Sequence, residues 1–241
     1  MESPTLIALS RQMALRREMD LVAHNIANAN TPSYQREKMM FVEYLTKPHR
    51  DSPLSFVQDL GTARDLSAGQ LTKTENPLDV ALSGDGYFTV ETDRGPRYTR
   101  SGRFQLNADR LIATQHGHPV LSAGGQPIAI PPDATEISIA SDGTVSADSE
   151  VIDTIGVVTF QEPQKMQREY GNLFTADEQP APAEETQILH GMFEESNVNA
   201  VVEMTRMIEI HRTYSSNQRL LQDEHDRLKQ AISRLTRPAR N

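Results

Sequence analysis

The chain has 241 residues, a hydrophobic fraction of 37%, no Trp, no Cys and a formal net charge of -9. That length allows one large domain, or a compact domain with helical extensions, and the low apolar content leaves part of the chain outside any single core. The absence of Cys excludes disulfides, thiolate metal sites and a Cys nucleophile. The acidic balance disfavours nucleic acid and anionic membranes as partners.

The charge is unevenly placed. Residues 1–50 carry 7 basic and 5 acidic side chains, and residues 51–132 carry 7 and 9. Residues 133–200 carry 2 and 14, and residues 201–241 carry 8 and 5. The ends are therefore mildly basic and the middle is strongly acidic. No stretch approaches the ~18 apolar residues of a membrane span. Met1 to Leu15 also lacks the apolar core expected of a cleaved secretory signal. On those two grounds alone the chain would be placed in the cytoplasm.

In chain order, the first predicted element is a helix over Pro4 to Ala29, with Ser3 as N-cap and Pro4 in the first turn. Leu15, Met19, Val22 and Ile26 make one apolar stripe by their 4-3-4 spacing, extended by Ala8 and Gln12. Leu6, Leu9 and Met13 make a second, offset stripe. The Asn28-Ala29-Asn30-Thr31-Pro32 run stops the helix, because Pro32 disfavours helical geometry at Thr31. Residues 35–75 read as an extended connector. Within it, Thr46 to Glu75 carries Pro48, Pro53, Gly61 and Gly69 with few apolar residues.

From Leu78 to Phe160 short β-like runs alternate with turn signals. Leu78, Val80 and Leu82 alternate with polar or small neighbours, and Gly84-Asp85-Gly86 reads as a hairpin turn before Tyr87 to Glu91. Further turns fall at Asp93-Arg94-Gly95, Asn107 to Arg110, His116 to His118, Gly124-Gly125, Pro131-Pro132-Asp133 and Ser141-Asp142-Gly143. Val157, Val158 and Phe160 form a late strand. These signals predict a twisted antiparallel all-β unit. Ala176 to Thr186, with Pro180, Pro182 and four acidic residues, reads as a linker.

The last element is a heptad track: Met204, Met207, His211, Tyr214, Gln218, Leu221, His225, Leu228, Ile232, Leu235, ending before Pro238. Its alternating 3 and 4 steps describe a coiled-coil-like seam, with polar His211, Gln218 and His225 as register or partner residues. The fold class is thus α+β: long N- and C-terminal helices flanking a central antiparallel β domain. The divisions are 1–34, 35–75, 76–175, 176–190 and 191–241. Isolated helices are marginal in water, so the two ends pair either with each other or with other subunits.

Several runs resemble a known family. Asn25-Ile26-Ala27-Asn28-Ala29-Asn30-Thr31-Pro32-Ser33-Tyr34 resembles the N-terminal signature of the bacterial flagellar rod and hook proteins. Asn76 to Phe88 is similar to their central motif, and Tyr98-Thr99-Arg100-Ser101-Gly102-Arg103-Phe104 to the piece that follows it. Gly191 to Asn199 resembles the entry to their C-terminal helix, continued by Val202 to Glu209. The four runs occur in the family's order, and length and opening place the chain nearest the proximal-rod members, the distal-rod members being next. Ser33 stands where the family has Gly. A backbone with φ > 0 at that position would strain Ser.

The resemblance implies a structural subunit. It implies export through the flagellar type III apparatus without a cleaved signal, and assembly into a periplasmic tube that transmits torque and conducts later subunits. Its partners would be other copies of itself, adjacent rod proteins and, during secretion, the export apparatus. No cofactor and no metal is implied. The assembly interface is expected at Leu15, Met19, Val22, Ile26, Asn28, Asn30, Thr31, Tyr34, Asn197, Val198, Met204, Met207, His211, Tyr214, Gln218, Leu221, Leu228 and Ile232. Head-to-tail contacts of this kind build open filaments when the rotation does not close.

Other chemistries fit poorly. His116 and His118 flank a turn glycine and have no third ligand at metal-site spacing. Gly84-Asp85-Gly86 lacks the lysine of a phosphate loop and the ligand ladder of a calcium loop. There is no Gly-x-Ser-x-Gly elbow. Arg94, Arg97, Arg100 and Arg103 read equally as a solvated sheet face or as a patch for an acidic neighbour. Two rival classes are a soluble secretion-associated binding module and an enzyme acting on cell-wall glycan, the latter requiring carboxylates in a cleft.

Overall fold

The computed structural model describes residues 3–46, 54–183 and 185–235. The chain divides into two compact units. The helical unit contains Met1–Ala27, Glu37–Asp65 and Asn199–Asn241, and the β unit contains Asn28–Arg36 and Leu66–Val198. The structure therefore has an N-terminal helix, a C-terminal helix and an antiparallel β-rich middle.

In the helical unit, α1 runs Ser3–Ala27 and α2 runs Ala200–Leu235. The side-chain oxygen of Asn199 accepts from the backbone N–H of Val201 (3.1 Å) and Val202 (3.2 Å), which caps α2 at its start. The expected stop of α2 before Pro238 lies outside the described residues. Strands β1 (Glu37–Thr46) and β2 (Leu54–Arg64) form a long antiparallel hairpin that packs on α1. This corrects the connector reading of 35–75. The hairpin carries a register shift at Met40/Phe41, and Gly61 opposite adopts φ +123, so simple alternation is interrupted in the sequence.

The β unit is built from short strands: β3 (Leu71–Lys73), β4 (Val80–Ser83), β5 (Tyr87–Thr92), β6 (Gly95–Thr99), β7 (Phe104–Leu106) and β8 (Ile112–Thr114). It continues with β9 (Ile137–Ile139), β10 (Thr144–Ala147), β11 (Glu150–Thr154), β12 (Val157–Thr159), β13 (Gln167–Glu169) and β14 (Leu173–Thr175). It ends with β15 (Ala181–Pro182), β16 (Gln187–His190) and β17 (Met192–Glu194). The main sheet has the order β13-β14-β6-β5-β12-β15. β4 pairs with β16, β3 with β17, β7 with β8, and β9-β10-β11 form a three-stranded sheet.

Two expectations change here. Gly84-Asp85-Gly86 is not a hairpin turn, because β4 and β5 belong to different sheets and the triplet carries the chain between them. Ala176 to Thr186 is not a bare linker, since β15 lies within it and β16 follows directly, paired with β4 from Gln187↔Ser83 to His190↔Val80. Only Ile188 of that strand is buried, so no apolar period marked it. The turns at Asp93-Arg94, Asn107 to Arg110, Gly117, Gly125 and Gly143 close hairpins or tight loops as the sequence suggested.

The core of the β unit gathers Val80, Leu82, Phe88, Val90, Phe104, Ile112, Val120, Ile128 and Val145, all nearly inaccessible. Phe88 and Phe104 meet edge to face at 5.2 Å. A smaller aromatic cluster joins Tyr87, Tyr98, Phe160 and Phe174. Burial pushes the Tyr98 hydroxyl above its ordinary value, with Arg97 opposing. On the surface, the Asp148 carboxylate accepts from the backbone N–H of Glu136 and from Thr135, which holds it below the usual carboxylate range.

Candidate functional site

The α1 stripe predicted from spacing faces inward. Ala8 and Val22 are buried, and Gln12, Leu15, Met19 and Ile26 are half-buried. Of the offset stripe, Leu9 and Met13 are exposed, at 47% and 54%; the Leu6 side chain is outside the described residues.

α1 packs against α2 within the same chain. Asn25 Nδ2 donates to Glu203 Oε2 at 3.3 Å, Arg206 binds Glu18 at 2.7 Å, and Asn217 Nδ2 donates to the Ala8 carbonyl at 2.8 Å. As α2 advances the contacts move back along α1, so the pair is antiparallel. Asn25 also exchanges two hydrogen bonds with the Glu37 backbone, which ties α1 to β1.

The packed face of α2 differs from the predicted seam by one position in every other step. Glu203, Ile210 and Asn217 are buried, with Met207, Tyr214, Leu221 and Glu224 half-buried between and beyond them. That set also steps by 4 and 3, which places it on one helix face, with Thr213 and Ser215 half-buried beside Tyr214. Met207, Tyr214 and Leu221 are common to both tracks. Met204, His211, Gln218, His225 and Ile232 are exposed instead, and the Leu228 side chain lies outside the described residues. Sequence reasoning missed Glu203 and Asn217 because hydropathy alone ranks Met204 above Glu203. The missing signal was chemical complementarity: Asn25 and the Ala8 carbonyl supply partners that hydropathy does not weigh.

The remaining expected residues belong to the β unit. Asn28 and Thr31 form a local turn: Thr31 donates to the Asn28 carbonyl and side-chain oxygen, both at 3.1 Å. Asn30 is exposed. Tyr34 is 3% exposed, with the Arg168 guanidinium 4.2 Å above its ring. Asn197 accepts from the Arg36 N–H at 2.7 Å and donates to the Ser67 carbonyl at 2.8 Å. Val198 is buried. Asn197, whose N–H also donates to the Tyr34 carbonyl at 3.2 Å, ties the segment after α1 to the segment before α2.

Ser33 adopts φ +53, the left-handed region that favours Gly. Its N–H donates to the Glu194 carbonyl at 2.8 Å, which fixes that conformation. A non-Gly residue there costs about 1 kcal/mol. Ser33→Gly should therefore stabilise the β unit by about 0.5–1 kcal/mol, raising its thermal midpoint by roughly 2 °C. An unchanged or lowered midpoint in a thermal melt would show that the turn is not strained.

The arginine cluster is neither a solvated face nor a free patch. Arg100 Nε meets Glu194 Oε2 at 2.8 Å with both side chains buried, and its Nη atoms donate to the Gly84 and Gly86 carbonyls. Arg97 pairs with Glu169 at 3.1 Å, and Arg103 lies over the Phe193 ring. Arg94 is exposed.

A groove of about 500 Å³ lies on the β unit, lined by Thr89, Tyr98, Leu121, Val157, Pro180 and Pro182 among others. Among the described residues Glu91 is the one carboxylate on its wall. His116 lies against Tyr170, with ring centroids 5.6 Å apart.

Three family models match the chain. One described as "Flagella basal body rod protein" covers residues 6–35. One described as "Flagellar hook protein FlgE/F/G D1 domain" covers 81–147. One described as "Flagellar basal body rod FlgEFG protein C-terminal" covers 189–234. The chain is 39% identical to the flagellar basal-body rod protein FlgF of Caulobacter vibrioides, over 98% of each chain. It is 34% identical to FlgF of Mesorhizobium japonicum, again over 98% of each. It is 28% identical to the rod protein FlgG of Bacillus subtilis, over 93% of this chain and 96% of the relative.

Proposed function

The chain belongs to the flagellar basal-body rod family and is a structural rod subunit, not an enzyme; from that premise we propose that the α1–α2 pair is the element through which it polymerises. Rod proteins assemble with other rod components, and this chain's place is the basal-body rod. In this reading the helical unit is the part that meets its neighbours. Its position is the proximal part of the rod, in keeping with the higher identity to the FlgF relatives than to FlgG. The subunit reaches that position through the flagellar export apparatus and joins a periplasmic tube that transmits torque and conducts later subunits.

One observation carries the assembly reading. While the helices pack through a partly polar seam, α2 turns Val201, Met204 and Ile208 outward, 73%, 51% and 54% exposed. Their spacing of three and four places them on one helix face. A row of large apolar side chains left in water marks a contact surface.

The pair Met204→Glu and Ile208→Glu tests it. Exposed positions tolerate such changes within about 0.5 kcal/mol each, so the folded monomer and its melt should be unaltered. Incorporation into basal bodies, judged by electron microscopy and by swimming, should fall at least tenfold. Normal rods built from the double variant would refute the assigned face.

A further inference from the structure

We propose that Glu203 and Asn217 are partner-selecting residues of the α2 seam: they admit α1 of the same chain and reject the α2 of a second free copy. This rests on the reading of the helical pair as the assembly element.

The two residues lie fourteen positions apart, two heptads, with Ile210 midway on the same face. They are 1% and 8% exposed, and Ile210 is 5% exposed. Buried polar groups at such positions give up stability that a leucine would supply. Each is matched by a group that α1 provides: the Asn25 amide for Glu203 and the Ala8 carbonyl for Asn217.

The rest of the seam would otherwise favour self-pairing. Met207, Tyr214 and Leu221 occupy its alternate positions, and Leu228 and Leu235 continue the sequence pattern. With leucine at 203 and 217, α2 would carry five consecutive apolar seam positions from 203 to 217, a ready strand for a coiled coil with a second copy. In a parallel α2–α2 pair the two Glu203 carboxylates face each other. In an antiparallel pair each faces an apolar position. Both arrangements bury a carboxylate without a donor, which disfavours the wrong pair by tenfold or more.

Sedimentation velocity of the full-length chain over a concentration series tests this. The Glu203→Leu/Asn217→Leu variant should self-associate at concentrations at least 100-fold below the parent, with helix content equal or higher by circular dichroism. Glu203→Gln, which keeps a polar group but removes the charge, should stay closer to the parent. The native chain has no Cys, so Met207→Cys reports the face used. It should form a disulfide between copies in the leucine background and not in the parent background. A leucine variant that sediments like the parent, or a Met207→Cys parent background that cross-links as readily as the leucine background, overturns the proposal. Loss of rod incorporation by the Met204/Ile208 variant is read separately, so failure of the assembly reading and failure of partner selection give different results.

Discussion

Replacing Arg100 by methionine should destabilise the β unit by about 3–5 kcal/mol, the cost of stranding one member of a buried ion pair. The Glu194 carboxylate would remain, 3% exposed, with the Gly69 N–H at 2.8 Å as its remaining hydrogen bond of that set. The carbonyls of Gly84 and Gly86 would lose the guanidinium that bridges the passage from β4 to β5. A whole domain is stable by only about 5–15 kcal/mol, so the variant should unfold at much lower urea. The double variant Arg100→Met/Glu194→Met should recover part of the loss, because neither charge is then buried alone. A single-variant cost below about 1 kcal/mol would show that the pair is solvated in the folded protein.

The second large effect is expected two residues on. A Cβ on Gly102 would land on the Val80 carbonyl, which is backbone and has no side-chain freedom with which to yield. Val80 also donates its N–H to the Gly102 carbonyl at 2.9 Å, and Phe104 donates to Leu78 beside it. The two segments are therefore held at a separation that only glycine permits. Gly102→Ala should cost about 3 kcal/mol by overpacking and lower the thermal midpoint of the β unit by roughly 6–12 °C. A melt within a degree of the parent would mean that the segments part without penalty.

These two residues show why the run from Tyr98 to Phe104 was recognisable yet mechanically opaque. Its residues could be matched to the family, but their work depends on Glu194 and Val80, 94 and 22 positions away along the chain. The same limit appears in the arginine cluster, where three of four side chains are occupied by Glu194, Glu169 and the Phe193 ring. A run of like charges looks solvated until its distant counter-charges are known. The β1–β2 hairpin was lost for another reason. A bulge with glycine opposite breaks the alternation that identifies a strand, and Pro48 and Pro53 made the neighbourhood look irregular.

Two helical ends around a β middle, and the inward face of α1, were legible in the residues alone. Those features are local: Ala8, Gln12, Leu15, Met19, Val22 and Ile26 recur at the helical period, and the short strands are set off by glycine and proline turns. Which face of α2 is buried depended on its packing against α1. Carrying the 3 and 4 spacing on from Met204 selects His211 and Gln218, while packing buries Glu203, Ile210 and Asn217. A polar side chain enters an interior when a partner waits there, and for Glu203 and Asn217 the partners are Asn25 and the Ala8 carbonyl, at the other end of the chain.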